Sequence, residues 1–291
     1  MIPRDTFAVI GGRGAQKLLA ANQQHVKRLG PVPTPFGLSA SLYRVRLRES
    51  HFLFLPRHGE TGREVAAPWV NYRANIYALK EHGASRIMAW SGPAAIDTSI
   101  AMGQYVLPTD LIDATSARES SFYKGTGLGL IRQHPIFCLE MQEVAERAMH
   151  LLGLPYHDHA TYVCTQGPRL ETRSEIRVFR QWKGDLVGRT LAPEVFLARE
   201  LEMCYLPICC VTDYAEGVNE RESRPGEMLE SVIGRAEQEA VEESMGRFFD
   251  IAASISRAVP DDRRCLCALT MDRHRREKRI DDDWHTWIGK P

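Results

Sequence analysis

The chain has 291 residues, 44% of them hydrophobic and 25% charged, and its 37 basic and 37 acidic side chains give a formal net charge of zero. That is ordinary globular composition, enough for one large domain or two small ones, and a neutral balance gives no reason to expect electrostatic adhesion to nucleic acid or to an anionic membrane. No apolar run reaches the roughly 18 residues of a transmembrane helix, and the start Met-Ile-Pro-Arg-Asp lacks a charged-then-apolar leader, so a soluble cytoplasmic protein is expected.

Phe7-Ala-Val-Ile10 is a short apolar run closed by Gly11-Gly-Arg-Gly14, which reads as a first buried strand and a glycine turn. Such a turn lets backbone approach an anion closely, and serves equally as a plain strand-to-loop turn. Residues 30–42, rich in Pro and Gly, read as loop. Phe52-Leu-Phe-Leu55 is a second buried strand. It runs into Pro56-Arg-His-Gly59, where an Arg and a His at a strand end make a candidate anion clamp. Residues 71–82 read as a helix with Gly83 at its C-cap. Arg86-Ile-Met-Ala-Trp-Ser91 is a third strand, and Ser91 either donates to an anion or caps the next turn. A short strand at 105–107 precedes the segment 110–113. Residues 115–134 show little periodicity and read as a surface loop.

Residues 137–152 form an amphipathic pattern, with Phe137, Met141, Val144, Ala145, Ala148, Leu151 and Leu152 at three- and four-residue spacing. Thr161-Tyr-Val-Cys-Thr165 is the next strand. Residues 171–182 and 193–203 read as helices, with Pro193 at a first helical position. The run Ile208-Cys-Cys-Val211 stops at Thr212-Asp213, which puts a carboxylate just past the end of a buried strand, where open α/β sheets place ligand groups. A loop follows to Glu227. One long helix is then expected from about 229 to 255, with Leu229, Val232, Ile233, Ala236, Ala240, Phe248, Phe249 and Ala252 as its buried stripe.

Seven cysteines, an odd number in a chain this long, do not suggest a disulfide framework. Cys204, Cys209 and Cys210 sit in apolar surroundings and read as small core residues. Cys265-Leu-Cys267 is the one patterned pair. With no second pair at zinc-ligand spacing, free thiols or a local disulfide are expected there, and no metal. The tail after Pro260 is highly charged and reads as a solvated helix or arm, although Trp284 and Trp287 suggest that it docks on the body or on a neighbouring subunit. Strands alternate with helices nearly throughout. The expected fold is therefore an α/β domain, residues 1–260, with a mixed central sheet flanked by helices, followed by a charged C-terminal extension, 261–291.

Taken in order, Val9-Ile-Gly-Gly12, Pro56-Arg-His-Gly59, Val70-Asn-Tyr-Arg-Ala-Asn-Ile-Tyr-Ala-Leu-Lys80, Gln166-Gly-Pro-Arg-Leu-Glu-Thr172, Thr190-Leu-Ala-Pro-Glu-Val195 and Val211-Thr-Asp-Tyr214 resemble the purine nucleoside phosphorylases. They are most similar to the methylthioadenosine phosphorylase branch, over about residues 7–255. The resemblance implies a nucleoside phosphorylase-like fold and cleavage of an N-glycosidic bond by inorganic phosphate, giving free purine and a ribose 1-phosphate without metal or organic cofactor. It implies S-methyl-5'-thioadenosine or methylthioinosine as substrate. The alternatives are inosine or guanosine, hydrolysis by water, and purine binding without turnover. It also implies a homotrimer.

Carried over residue by residue, the resemblance puts phosphate contacts at Gly12, Arg13, Arg57, His58, Ser91 and Thr190. Base and ribose contacts fall at Leu170, Glu171, Gly188, Arg189, Asp213 and Ala215, and catalytic assistance at Asp213 and His58. Asp213 can accept from a 6-amino group or, if protonated, donate to N7, which needs a partly buried apolar site. Glu171 pulls toward 6-oxopurines, whose N1–H it would bind. Four departures from the family stand out. Arg13 replaces Thr or Ser in the glycine turn, Arg189 replaces the Met that packs on the ribose, Ala215 replaces a carboxylate, and Ser91-Gly-Pro-Ala-Ala lacks the usual second glycine. A guanidinium at 189 costs desolvation unless an anion or acceptor meets it. The two added arginines suggest a more anionic substrate, such as a nucleoside bearing a phosphate or carboxylate.

Overall fold

The computed structural model describes residues 7–62, 64–219 and 234–288. Its centre is a set of parallel strands. Phe7–Gly11 lies between Ser50–Pro56 and Arg86–Ser91, parallel to both, and Cys204–Cys210 runs parallel to Arg86–Ser91 on the far side. Ala8, Val9, Ile10, Leu53, Phe54, Leu55, Ile87, Met88 and Ala89 are all fully buried. These strands are apolar on both faces because both faces are covered, the usual state of a parallel sheet. Because they are parallel, the ends at Gly11, Pro56, Ser91 and Cys210 share one edge.

Antiparallel strands extend this eight-stranded sheet on each side. Leu42–Leu47 and then Val26–Gly30 lie beyond Ser50–Pro56, and Tyr105–Val106 lies beyond Cys204–Cys210. A second, five-stranded sheet places Thr161–Thr165 parallel to both Asp110–Ala114 and Leu186–Gly188. Ala94–Ala95 runs antiparallel to Leu186–Gly188 and parallel to Asp213–Tyr214. The chain leaving the first sheet at Cys210 thus joins the second at Asp213, and the C-terminal ends of both sheets converge. The mixed sheet flanked by helices is the expected architecture.

The helices follow local chemistry. Asn71 caps Tyr72–Glu81 by accepting from the Ala74 N–H at 3.2 Å. Thr172 and Glu175 form a reciprocal capping box at the start of Arg173–Gln181. The helix Phe248–Ala258 buries seven of its eleven residues. Phe249 meets Phe52 and Phe54 edge-on, at 5.8 and 5.1 Å between ring centres.

Several expectations need correction. The long helix is two helices, Arg235–Gly246 and Phe248–Ala258, and its expected start at 229–233 lies outside the described residues. Gly246 favours the break, since glycine is a poor helix former. The two halves also pack differently: only Val241 is buried in the first, and Ala236 is exposed. Residues 30–42 include a small hairpin of Pro33–Thr34 with Gly37–Leu38. Pro193 is the N-cap of Glu194–Glu200 rather than its first residue.

The segment 115–134 has no helix or strand, yet it is not merely surface. Phe122, Tyr123 and Leu128 are buried, and Arg118 donates to the carbonyls of Thr165, Gln166, Arg189 and Ala192 at 2.5–2.9 Å. One buttressing arginine thus holds two strand-end turns of the second sheet. The tail docks on the body: Trp284 stands edge-on to Tyr77 at 4.9 Å, His285 pairs with Glu81, and Arg275 bonds Glu202 and covers Trp287. Among the described residues, no helix is long and apolar enough to cross a membrane.

Candidate active site

A cavity of about 570 Å³ opens where the C-terminal ends of the two sheets meet, and all the positions carried over from the resemblance line it: Gly12, Arg13, Arg57, His58, Ser91, Leu170, Glu171, Gly188, Arg189, Thr190, Asp213 and Ala215. They come from six separate strand ends, so only the fold brings them together.

Gly12 lies against the first sheet's neighbouring strand end. A Cβ there would stand 2.8 Å from the Trp90 carbonyl, so the close backbone approach requires glycine. Arg57 enters from the next strand with its side chain fully buried, gripped by Glu194. Nε donates to Oε2 at 2.6 Å and Nη2 to Oε1 at 2.7 Å, while Nη1 donates to the Trp90 carbonyl at 3.2 Å. Tyr205 also donates to Glu194 Oε1, at 2.7 Å. Burial works against the charge on Arg57, but the Glu194 carboxylate holds it above its ordinary pKa. Arg57 is therefore not the open fork expected from its motif. Of the five N–H donors of a guanidinium, three are committed, and two remain for a ligand.

His58 also differs from expectation. Its Nδ1 lies 2.8 Å from the Val65 carbonyl, which can only accept, so Nδ1 carries the proton. Burial and the nearby Arg57 charge push the ring down to about 4. The imidazole is neutral near pH 7 and its Nε2 is an acceptor, where the motif suggested a donor to phosphate. A folded value near 4 against 6.5 unfolded means that the unfolded chain binds more protons between these pH values. This contribution to stability is fully present above pH 6.5 and is lost as pH falls toward 4. The difference in Tm between wild type and His58→Gln should accordingly change across that window. A constant difference in thermal scans from pH 7 to 4 would contradict the assignment.

Ser91 and Thr190 join a hydroxyl cluster with the fully buried Tyr162. Ser91 Oγ is 3.0 Å from the Tyr162 hydroxyl and 3.3 Å from Thr190 Oγ1. Gly188 makes room for it, since a Cβ there would lie 1.9 Å from the Tyr162 oxygen.

The carboxylates lie on the walls from the second sheet and the crossover. Asp213 is 8% exposed, and its Oδ2 accepts from Thr212 Oγ1 at 2.8 Å. Glu171 is 9% exposed. It accepts from Thr165 Oγ1 at 2.6 Å and from Arg189 Nη2 at 3.1 and 3.0 Å. Glu171 is thus the anion that meets Arg189. The guanidinium at 189 is neutralised from within the chain, which removes that arginine from the argument for an anionic substrate.

Residues 6–253 match the profile of the Phosphorylase superfamily. The chain belongs to this superfamily. It is 37% identical to a 6-oxopurine nucleoside phosphorylase from Pyrococcus furiosus, covering 90% of this chain and 96% of that one. It is 34% identical to an S-methyl-5'-thioadenosine phosphorylase from Thermofilum pendens, covering 91% and 97%. It is also 34% identical to a probable S-methyl-5'-thioinosine phosphorylase from Methanopyrus kandleri, covering 91% and 96%. Among solved structures, a methylthioadenosine phosphorylase from an antarctic soil metagenomic library superposes with a TM-score of 0.77 at 26% identity, covering 91% of this chain and 90% of that one.

Three supporting residues of this superfamily member escaped the sequence reading. Glu194 stands inside the Thr190-Leu-Ala-Pro-Glu-Val195 motif, but only its burial against Arg57 shows its role. Tyr162 and Arg118 come from a strand interior and an aperiodic segment, where sequence carries no signal for a site. The cavity's apolar lining from Val65, Ala66, Ala67 and Val187 likewise carries no mark in the sequence, whereas Pro168, which joins it, lies in the Gln166–Thr172 motif.

Proposed function

We propose that this protein cleaves the N-glycosidic bond of a purine nucleoside by phosphorolysis, with S-methyl-5'-thioadenosine as the preferred substrate. The observation that carries the reading is one cavity lined both by anion-binding groups and by two buried carboxylates. The Gly12 turn, the Arg57 donors not used by Glu194, and the Ser91 and Thr190 hydroxyls suit a phosphate. Asp213 and Glu171 suit a purine edge. In this reading a phosphate oxygen attacks C1' as the bond from C1' to N9 breaks, and the bonding electrons pass to the departing purine. Its N7 is met by a proton or hydrogen bond from the Asp213 side. Holding both partners in one site makes the encounter intramolecular, and fixed donors stabilise the charge that develops. Neutral His58, with Nε2 as acceptor, suits a phosphate that arrives carrying a proton.

Asp213 lines the cavity and, as a carboxylate, accepts from a 6-amino group, which favours a 6-aminopurine. The apolar lining from Val65, Ala66 and Ala67 favours a methylthio group over a hydroxyl at C5'. A second reading has its own observation: Glu171 and Arg189 side by side offer an acceptor and a donor together, matching N1–H and O6 of a 6-oxopurine. The relatives are named for all three substrate types, so the choice lies within that set.

A panel of adenosine, methylthioadenosine, inosine and methylthioinosine, each with phosphate, tests this by kcat/KM. The 5'-methylthio compounds should be preferred over their 5'-hydroxyl counterparts by about 10- to 200-fold, the discrimination an apolar pocket supplies. The 6-amino members should exceed the 6-oxo members; the reverse order establishes the second reading, and no base release from any of the four overturns the proposal. The same reading makes the protein a cytoplasmic homotrimer. Exposed Trp69, Leu130 and Leu151 supply apolar surface for subunit contact.

A further inference from the structure

Away from the cavity, four cysteines converge. The sulfurs of Cys138, Cys204, Cys265 and Cys267 all lie within 4.8 Å of one another, and Cys204 and Cys265 are 3.3 Å apart. Local spacing offered only the Cys265-Leu-Cys267 pair, and on that ground no metal was expected. The fold supplies the second pair from two distant elements. Cys138 is the N-cap residue of Leu139–Leu151, and Cys204 opens the strand Cys204–Cys210. Backbone bonds fix both, from Cys138 N to the Tyr205 carbonyl at 3.0 Å and from Cys204 N to the Ser85 carbonyl at 2.9 Å.

We propose that these four cysteines form a structural zinc site that ties the C-terminal tail to the helix Leu139–Leu151 and to the strand leading to Asp213. Four sulfurs at the usual Zn–S length of about 2.3 Å define a tetrahedron with edges of about 3.8 Å. The cluster brackets that edge, between the 3.3 Å contact and the 4.8 Å limit. Three of the four residues are buried and Cys265 is partly exposed, so the site is closed to water on most sides yet reachable by an ion. A tetrathiolate zinc centre carries two negative charges, and two cationic side chains interact electrostatically with its cysteines: Arg199, 6% exposed, with Cys267 and Cys138, and Lys80 with Cys204. Arg199 spends its Nη atoms on the carbonyls of Arg132 and Pro135 at 2.8 Å, while its Nε has no hydrogen-bond partner and is available to a thiolate. Binding releases up to four thiol protons to solvent and moves no electrons.

The test uses the full chain, grown with zinc and purified under reductant. Elemental analysis should find about one zinc per chain, and removal by a chelator should lower Tm. Exchange for Co²⁺ should produce an intense sulfur-to-cobalt charge-transfer band. Cys267→Ser should lose the ion and the band, while Cys210→Ala, which removes a buried cysteine outside the cluster, should keep both. Should Cys267→Ser fail to fold, the wild-type zinc content and cobalt spectrum still decide. A zinc-free wild-type chain that gives no charge-transfer band with Co²⁺, or peptide mapping that finds the four cysteines joined as disulfides after purification under reductant, overturns the proposal.

Discussion

Replacing Glu194 with alanine is expected to cost about 3–5 kcal/mol of folding stability, because it strands a buried charge. Arg57 and Glu194 are both fully buried and joined by two short hydrogen bonds. Without the carboxylate, the guanidinium keeps its desolvation cost and loses the interaction that offsets it, and Tyr205 loses its acceptor as well. The double variant Arg57→Met with Glu194→Leu should recover much of the loss, since a well-packed apolar replacement of a buried ion pair is often close to neutral. Urea denaturation of the single and double variants measures the cycle. A loss below about 1 kcal/mol for Glu194→Ala would mean that Arg57 reaches water or another anion, and that the cavity floor is not built as described.

Asp213→Ala should lower kcat/KM by about 10²- to 10⁴-fold, the range for loss of a proton-transferring group at a reacting centre. Its stability should change little, since the aspartate borders a cavity rather than packed core. Asp213→Asn is the sharper variant. It keeps the shape but exchanges a carboxylate oxygen for an amide donor, so preference should move from 6-amino toward 6-oxo bases while phosphate KM is largely unchanged. If Asp213→Asn leaves the base ratio unaltered, the Glu171–Arg189 pair is the selector. Arg189→Met would then be the variant that moves the ratio, because it releases Glu171 from its two contacts with that guanidinium.

Much of this was legible in the sequence because parallel strands buried on both faces are short unbroken apolar runs. Phe7–Gly11, Ser50–Pro56 and Arg86–Ser91 announce themselves, and ligand groups of such sheets follow the strand ends. Every cavity position named beforehand therefore fell in the cavity. The strand Leu42–Leu47, between Ser50–Pro56 and the edge strand Val26–Gly30, gives a weak signal because its alternation is short, with Arg44 and Arg46 as the polar members between Tyr43, Val45 and Leu47. What the sequence could not carry was pairing at a distance. The partner of Arg57 lies 137 residues away, the partner of Arg189 lies 18 away, and Cys138 meets Cys204 and Cys265 only in space. Charge count alone makes Arg57 and Arg189 look like two cations offered to a ligand; the fold neutralises both. The same limit hid the state of His58, whose proton is placed by the Val65 carbonyl and whose low pKa follows chiefly from burial.

The most direct measurement is the release of free purine from methylthioadenosine by the wild-type chain, with and without inorganic phosphate, and with both products identified. Phosphorolysis requires base release that rises with phosphate to saturation, is negligible in its absence, and yields the pentose as its 1-phosphate in equal amount. Base release at the same rate without phosphate, with the free sugar as the second product, would contradict it and make the site that of a hydrolase.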